Sequence, residues 1–194
     1  MQYKILEEYL NQRRRKIIPE SGYKPASVLI PLTENGKIYI LLTKRAKHLT
    51  NHPGEISFPG GRVDKSDGNR LETALREVEE EVGIPKDEVI ILGALDDAIS
   101  ITNFHVIPYV GIIPFFCPYD YNRSEIDEIV LTPLSFFLNE PKREIYEKGN
   151  IKKENLIYTY GDKKIFGLTA FLLKNLVEIL NESGFLRENS ELIF

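Results

Sequence analysis

Hydrophobic and polar positions recur along this chain with two periods, one helical and one extended. The helical period opens the sequence and predicts an amphipathic N-terminal helix over residues 1–20. Its apolar stripe consists of Tyr3, Leu6, Tyr9 and Leu10. The basic run 13–16 (RRRK) is interpreted as the solvated end of this helix, with phosphate binding as the less favoured alternative.

Extended segments follow, and each is a short apolar run bounded by turn-forming residues. ASVLIPLT and KIYILLT predict two strands that are joined in a hairpin at ENG. Further strands are predicted at EVIILGALDDAI, FHVIPYVGII and IDEIVLT, and ENLIYTY with KKIFG predicts a late hairpin that turns at Gly161. The stretch Pro141–Asn155 is the least certain region, and no element is assigned to it before ENLIYTY begins.

Three later segments predict helices. RLETALREVEEEVGI is the strongest, because a helical period runs through it until Gly83 and Pro85 end it. PLSFFLN begins with proline and predicts a short helix, and LTAFLLKNLVEILNES predicts a C-terminal helix. Strands interleaved with helices predict an α/β fold, a layered α/β/α sandwich around a mixed β-sheet. The 194 residues suit one domain, residues 1–194.

The composition of the chain indicates where the protein is located and which classes of partner it can bind. No apolar run is long enough for a membrane span, and the N-terminus lacks the apolar core of a signal peptide. Cys117 is the only cysteine, which excludes an internal disulfide and favours a reducing cytoplasm. The net charge of -4 gives no overall basic surface for nucleic acid. We therefore expect a cytoplasmic protein with a small-molecule substrate and no nucleic-acid or membrane partner, and a homodimer is left open.

Three glutamates of the strongest predicted helix share one face. On a helical wheel Glu80 and Glu81 lie within ~60° on either side of Glu77. Like charges at this spacing repel each other, and a divalent cation such as Mg²⁺ or Mn²⁺ would remove the conflict. Arg76 precedes the three and can hold a carboxylate in one rotamer. An ordinary acidic surface helix explains the three glutamates alone equally well.

Two adjacent glycines, Gly60 and Gly61 in FPGG, precede this helix. Glycine lets the backbone approach a ligand closely, and carbonyl oxygens that are exposed there can serve as further metal ligands. Taken alone, however, a plain turn is the simpler interpretation of this pair.

The order of these residues resembles the Nudix box, G-x5-E-x7-R-E-U-x-E-E-x-G-U, in which U is aliphatic. Gly61 matches the leading glycine, and REVEEEVGI, residues 76–84, matches the whole second half. The chain departs from the pattern in two ways: Asp67 stands at the position of the first glutamate, and eight residues instead of seven separate it from Arg76.

One branch of that family, the coenzyme A diphosphatases, accommodates both departures. Its box, GG-x-x-D-x-x-D…TALRE, is similar to this chain from Gly60 to Glu77. Its upstream signature, L-L-T-x-R-[SA]-x3-R-x3-G-x3-F-P-G-G, is similar to LLTKRAKHLTNHPGEISFPGG, except that Thr50 replaces the second arginine. SITNFHVIPYVG and IFGLTA are similar to two further motifs of the branch. The resemblance implies a Nudix-type sandwich with its core, including the C-terminal helix, over residues 24–182.

The resemblance also implies an activity, the hydrolysis of a nucleoside diphosphate linked to another group. In the coenzyme A branch, coenzyme A or its derivatives are cleaved to 3',5'-ADP and 4'-phosphopantetheine, with Mg²⁺ or Mn²⁺ as the cofactor. Glu77, Glu80 and Glu81 are the implied metal ligands, joined by the carbonyl of Gly60. Arg76, Glu77 and Glu80 are the implied catalytic residues, and Glu80 is the favoured general base.

Five residues are candidates for binding the substrate. Arg45 and Lys47 directly follow the predicted strand YILLT, where they can bind phosphate. Gly61, Ser100 and Phe104 are the others, although a position in the core is equally expected for Phe104.

Some alternatives stay open at this stage. Glu125 and Glu128 in SEIDEIV could replace Glu80 as the base, but an exposed acidic strand edge is the favoured interpretation of both. Thr50 keeps another substrate open, such as ADP-ribose, a dinucleotide or an oxidised nucleotide. A non-catalytic module that binds a nucleotide is the third hypothesis, and the intact set of Arg76 and its glutamates argues against it.

Overall fold

The computed structural model describes residues 2–115, 119–148 and 151–193, and Cys117 lies outside them. The helices of this part are α1 (Lys4–Gln12), α2 (Arg70–Val82), α3 (Leu134–Phe137), α4 (Gly167–Glu182), α5 (Phe185–Glu188) and α6 (Ser190–Ile193). The strands are β1 (Lys24–Glu34), β2 (Ile38–Arg45), β3 (Ile56–Ser57), β4 (Gly60–Arg62), β5 (Ile90–Ala94), β6 (Ala98–Ile99), β7 (Phe104–Ile112), β8 (Ile126–Pro133), β9 (Lys142–Lys148), β10 (Ile151–Tyr160) and β11 (Lys163–Phe166). A turn of 3-10 helix spans Lys86–Glu88.

Strands β1 to β8 form one eight-stranded sheet in the described part of the chain. Its main path runs β3-β2-β1-β7-β5, while β4 also pairs with β1, β6 with β7, and β8 with β2. β1 and β7 are parallel from Lys24↔Phe104 to Leu32↔Ile112, whereas β1 pairs antiparallel with β2 and β4. The predicted mixed sheet is therefore confirmed.

Helices cover both faces of this sheet. Helix α2 packs on one face, where Ala74 and Val78 join Leu29 and Leu41 in one apolar cluster. Helices α1 and α4 pack on the other face, in a cluster that includes Leu6, Leu10, Ile30, Leu32, Ile40, Leu42, Leu173 and Leu176. Successive strand residues point to opposite faces, so odd-numbered β1 residues face α2 and even-numbered ones face away from it. The predicted α/β/α sandwich is confirmed.

The N-terminal helix is shorter than the predicted residues 1–20. Leu6 and Leu10 of its apolar stripe are buried as expected. Helix α1 ends at Gln12, because Arg13 is extended, with φ -67° and ψ 150°.

Two residues of the basic run after α1, Arg13 and Arg15, are not solvated as the sequence suggested, whereas Arg14 and Lys16 are exposed. Nη1 of Arg13 lies 2.7 Å from Oδ1 of Asp96, and Nη1 of Arg15 lies 2.9 Å from Oδ1 of the buried Asp97. These carboxylates hold the segment in an extended conformation against the sheet, because an unpaired buried charge would be costly. The sequence gives no local sign of a partner that lies more than eighty positions away.

Two other segments differ from their predicted outlines. EVIILGALDDAI forms two strands, β5 and β6, and the pairing register of β5 shifts between Ile91 and Gly93. The unassigned stretch contributes β9 and part of β10, which form a separate three-stranded sheet in the order β11-β10-β9. The late hairpin that turns at Gly161 is confirmed. Among the helices of the described residues, none has the length and apolar character needed to cross a membrane.

Candidate active site

Both ends of helix α2 are fixed by its own sequence. The side chain of Asn69 accepts hydrogen bonds from two backbone N–H groups of the first turn. Gly83 ends the helix in the left-handed conformation, at φ 76°. Nη2 of Arg70 donates to the carbonyl oxygens of Ala26, at 2.8 Å, and His105, at 2.6 Å. The helix that carries the glutamates is thereby anchored to β1 and β7.

Glu77 projects from α2 against Gly61 of β4. A Cβ atom at position 61 would lie 2.2 Å from Oε1 of Glu77, so only glycine leaves room for this carboxyl. Burial raises the pKa of Glu77, even though Nη1 of Arg76 lies 3.0 Å from Oε1. A partly desolvated carboxyl thus rests directly on the strand that the paired glycines form.

Glu81, one turn further along α2, is 3% exposed. Burial, and then the neighbouring Glu77, raises the pKa of Glu81 to about 8. The N–H of Gly60 hydrogen-bonds to this carboxyl, and Nη1 of Arg45 lies 4.0 Å from Oε1. Oε2 is buried and has no hydrogen-bond partner among the described residues. A buried carboxylate oxygen of this kind needs a further donor or a cation.

Arg76 is the centre of an ion-pair network at the outer side of these glutamates. Its Nε and Nη2 lie 2.9 and 3.2 Å from the two carboxylate oxygens of Asp67. Its Nη1 lies 3.0 Å from Glu77 and 2.9 Å from Glu80, and its Nη2 donates to the carbonyl of Arg62 at 3.1 Å. The guanidinium lowers the pKa of Asp67 to about 2. Asp67 thus reaches Arg76 despite the extra residue between them.

The side chains fit a divalent cation in part. Glu77 and Glu81 supply desolvated carboxylate oxygens beside glycine backbone, which suits Mg²⁺ or Mn²⁺. Glu80 differs, since its side chain is 57% exposed and turned towards Arg76. In the described part of the chain no three acidic, histidine or cysteine side chains converge closely enough to hold a metal ion. The unpartnered Oε2 of Glu81 is the observation that favours a cation here.

Glu125 lies close enough to these carboxylates to raise the pKa of both Glu77 and Glu81. Its backbone carbonyl accepts from the N–H of Ala46 at 2.7 Å, and the N–H of Asn122 donates to the carbonyl of Glu81 at 3.0 Å. These bonds hold the loop before β8 against both α2 and the end of β2. The sequence offered Glu125 as an alternative base, and the long-range pairing of β2 with β8 is what brings it to this place.

Three predicted substrate residues lie on this side of the sheet. Arg45 ends β2 and faces Glu81, with 28% of its side chain exposed. Gly61 lies against Glu77. Lys47 is exposed on the loop after β2, where its backbone N–H donates to Asp127 at 3.3 Å.

Ser100 and Phe104 lie elsewhere, at the turn that leads into β7. Oγ of Ser100 accepts from the N–H of Phe104 at 3.0 Å, which stabilises this turn. Phe104 is half-buried and sits on the sheet face opposite α2, because His105, its neighbour in β7, contacts Arg70 of α2. The structure brings neither residue into contact with the glutamates.

Known proteins resemble this chain over most of its length. The NUDIX domain model matches residues 22–149. An uncharacterized Nudix hydrolase, NudL, of Salmonella heidelberg (strain SL476) is 37% identical over 175 residues, which cover 89% of this chain and 85% of that protein. The NudL protein of Escherichia coli (strain K12 / DH10B), also uncharacterized, is 36% identical over 158 residues, 80% of this chain and 82% of that protein.

A solved structure agrees in fold. The crystal structure of a MutT/nudix family protein from Enterococcus faecalis matches with a TM-score of 0.50 and 15% identity, over 93% of this chain and 72% of that one. At this identity the similarity concerns the fold alone. The family match and the two relatives, together with the Gly61 to Ile84 motif, carry the conclusion: this chain belongs to the Nudix family.

Proposed function

We propose that this protein is a divalent-metal-dependent hydrolase that cleaves the diphosphate of coenzyme A or its derivatives to 3',5'-ADP and 4'-phosphopantetheine. One observation carries the proposal: Glu77 and Glu81 lie desolvated against the backbone of Gly60 and Gly61. The relatives named Nudix hydrolase support hydrolysis as the reaction class.

Glu77 and Glu81 are the firmest ligands for Mg²⁺ or Mn²⁺, and Glu80 with the carbonyl of Gly60 completes the set. A cation bound there supplies charge neutralisation of the diphosphate and lowers the pKa of water. Arg76 fixes the rotamer of Glu77, because its own position is set by Asp67.

The attacking water must give up a proton, and two carboxylates are candidates to accept it. Glu80 is exposed but pairs with Arg76 at 2.9 Å. Glu125 faces Glu77 and Glu81 from the opposite loop, and its carboxyl accepts one weak hydrogen bond, from Asn122 at 3.4 Å. We therefore assign the base to Glu125 and keep Glu80 as a ligand, because a base must be free to reach the water.

The choice of coenzyme A rests on the signature that runs into Gly60 and Gly61. Arg45 of that signature faces the buried Glu81, where its guanidinium can contact a phosphate oxygen of the bound diphosphate. Lys47 adds a second positive charge on the adjoining loop. Thr50 favours a second candidate, a Nudix hydrolase of ADP-ribose, a dinucleotide or an oxidised nucleotide, because threonine lacks the charge of the signature arginine.

A hydrolysis panel tests the proposal. The protein with Mg²⁺ or Mn²⁺ is incubated with coenzyme A, ADP-ribose, NADH and diadenosine polyphosphates, and the products are identified. We expect coenzyme A to be cleaved at the highest kcat/KM. Turnover of ADP-ribose without cleavage of coenzyme A would exclude the coenzyme A assignment.

The same hydrolysis assay tests whether residue 50 sets the preference for coenzyme A. The Thr50→Arg variant is expected to raise the preference for coenzyme A over dephospho-coenzyme A by ~10-fold, the effect of one charged hydrogen bond. Thr50→Gln is the matched control, since it adds length without charge and is expected to leave the preference near that of the wild type.

A further inference from the structure

Two cations flank one aromatic ring on the sheet face opposite helix α2. Cζ of Arg62 lies 4.9 Å from the ring centroid of Phe104, and Nζ of Lys24 lies 5.6 Å from it. The strand register explains this arrangement, because Lys24 faces Phe104 across β1 and β7, while Arg62 faces Ala26 across β4 and β1. We call Lys24, Arg62 and Phe104 the cation–aromatic cluster.

Among the residues that the structure describes, no carboxylate neutralises the charges of this cluster. The chain has 29 acidic and 25 basic residues, so a basic side chain has many possible counter-ions. Arg76 pairs with three carboxylates and Arg45 with one, but in the part of the chain that the structure describes neither Arg62 nor Lys24 pairs with an acidic group. Both cations are exposed. An aromatic face attracts and orients cations without cancelling their charge, so the cluster is complementary to an anion.

The cluster is directly connected to the carboxylate site. Arg62 follows Gly61, and the carbonyl of Arg62 accepts a hydrogen bond from Arg76. Successive strand residues lie ~3.8 Å apart and point to opposite faces. The position of Gly61 faces Glu77, so the side chain of Arg62 lies on the other face of β4. The cluster and the carboxylate site therefore lie on opposite faces of β4, one residue apart along the strand, and a substrate that binds both must extend around this three-residue strand.

We propose that the cation–aromatic cluster binds a phosphate monoester on the nucleotide half of the substrate, which in coenzyme A is the 3'-phosphate. This inference rests on the proposed function for the identity of the substrate. A phosphate monoester is a dianion at neutral pH, and its three terminal oxygens can accept hydrogen bonds from a guanidinium and an ammonium at once. Arg62 and Lys24 then supply the positive charge that Thr50 does not.

Equilibrium binding without divalent metal tests the cluster apart from catalysis. The probes are 3',5'-ADP, 5'-AMP and inorganic phosphate, measured by calorimetry. We expect the wild type to bind 3',5'-ADP at least ~10-fold tighter than 5'-AMP, because the second phosphate adds charged hydrogen bonds. Arg62→Ala should bring this ratio close to one, and Lys24→Ala should lower it. Lys65→Ala removes an exposed cation of the neighbouring loop and should leave the ratio unchanged.

Several outcomes would overturn the proposal. If Arg62→Ala and Lys24→Ala both keep the preference for 3',5'-ADP over 5'-AMP, the cluster has a structural role and does not bind the phosphate. If inorganic phosphate binds as tightly as 3',5'-ADP and competes with it fully, the cluster is a site for free phosphate. Circular dichroism establishes that each variant is folded, and Arg62→Gln replaces Arg62→Ala if the latter does not fold.

Kinetics separate this inference from the proposed function. We expect the kcat/KM ratio of coenzyme A to dephospho-coenzyme A to fall by ~10-fold in Arg62→Ala, through KM, since a remote phosphate contributes to binding. If the protein cleaves no coenzyme A but Arg62 still controls the preference for 3',5'-ADP, the cluster is supported and the proposed substrate is wrong. If coenzyme A is cleaved and the ratio is the same in both proteins, the function stands and the cluster is not a phosphate site.

Discussion

The carboxyl of Glu77 occupies the space in which a side chain at Gly61 would begin, since a Cβ atom there would lie 2.2 Å from Oε1. No real Cβ makes such a contact, so a larger residue forces the carboxyl to move. The leading glycine of the motif is therefore a packing requirement of the glutamate that lies sixteen positions later. The two motif positions form one structural unit.

Replacing Gly61 with alanine should displace the Glu77 carboxyl from β4. We expect kcat to fall by ~10²-fold or more, because ligands and dipoles that stabilise a transition state must be held in place. Thermal stability should change little in comparison, since Glu77 can turn towards solvent. Activity and melting temperature of Gly61→Ala are the measurements.

Gly68→Ala is the matched control for this variant. A Cβ at position 68 would lie 2.9 Å from Oε2 of Glu72, an exposed side chain that can shift towards solvent at the cost of its hydrogen bonds to Gly68 and Asn69. We therefore expect near-normal kcat in Gly68→Ala. Equal activity of the two alanine variants would contradict the packing argument.

The metal-ligand assignment predicts a difference between neighbouring glutamates of α2. Glu80→Gln and Glu81→Gln should each lower kcat by ~10²-fold or more at saturating Mg²⁺ or Mn²⁺, because each removes a negative ligand. Glu79 is exposed on another face of the helix and supplies the control, so Glu79→Gln should retain activity. Normal turnover of both test variants would mean that the metal site lies elsewhere.

The elements that sequence predicted well are those whose signals are local. The period of α2, its stop at Gly83 and the spacing of Glu77 and Glu81 all lie within one short segment, and the structure places both glutamates at the border of the core. The end of α1 was predicted too late because Asp96 and Asp97, which hold Arg13 and Arg15, are distant in sequence.

Long-range pairing also explains what sequence did not reveal about the site. Periodicity places Glu80 on the same face as Glu77, but it does not show that Arg76 holds Glu80 towards solvent. Likewise, Arg62 and Phe104 are forty-two positions apart, and only the register of β1 with β4 and β7 brings them together. Local sequence patterns predicted which residue types each element carries. Which of those residues contact each other depends on the strand pairing of the sheet.

Metal-free protein should lose stability as the pH rises. Burial holds the pKa of Glu81 at about 8 in the folded state, against an ordinary value of 4.5, so the folded state binds this proton more tightly than the unfolded state. The free energy of unfolding should therefore fall from about pH 5 to about pH 8, the range between the two pKa values. The pKa of Glu77 is also raised, and its effect has the same sign. Melting temperatures in a chelator across this range measure the effect.

The Glu81→Gln variant tests whether Glu81 causes this pH dependence of stability, because glutamine has no titratable proton at the buried position. It should be more stable than the wild type at about pH 8 in chelator, with a flatter pH dependence. Glu79→Gln should keep the slope of the wild type. Parallel pH profiles of Glu81→Gln and the wild type would show that Glu81 titrates normally.

The assignment of the base predicts a specific loss at Glu125. Glu125→Gln should lower kcat by ~10²-fold with little change in KM, because general-base catalysis acts on the transition state. Glu128 pairs with Lys163 at 3.1 Å, so Glu128→Gln is a control in the adjoining strand that should keep the rate. A normal kcat in Glu125→Gln would return the base role to Glu80.

Arg45 lies at the border of the proposed metal site, 4.0 Å from the buried Glu81, so its loss should affect binding of the diphosphate. We expect Arg45→Ala to raise KM by ~10-fold, since a guanidinium contact with phosphate contributes in both the ground state and the transition state. Arg45→Lys keeps the positive charge but loses the planar guanidinium, which can donate two hydrogen bonds to one phosphate. We expect its KM to lie between those of the wild type and Arg45→Ala. Lys47→Ala, on the exposed loop, should have a smaller effect. Steady-state kinetics with coenzyme A distinguish these variants, and an unchanged KM in Arg45→Ala would make Arg45 only a counter-ion of Glu81, 4.0 Å away.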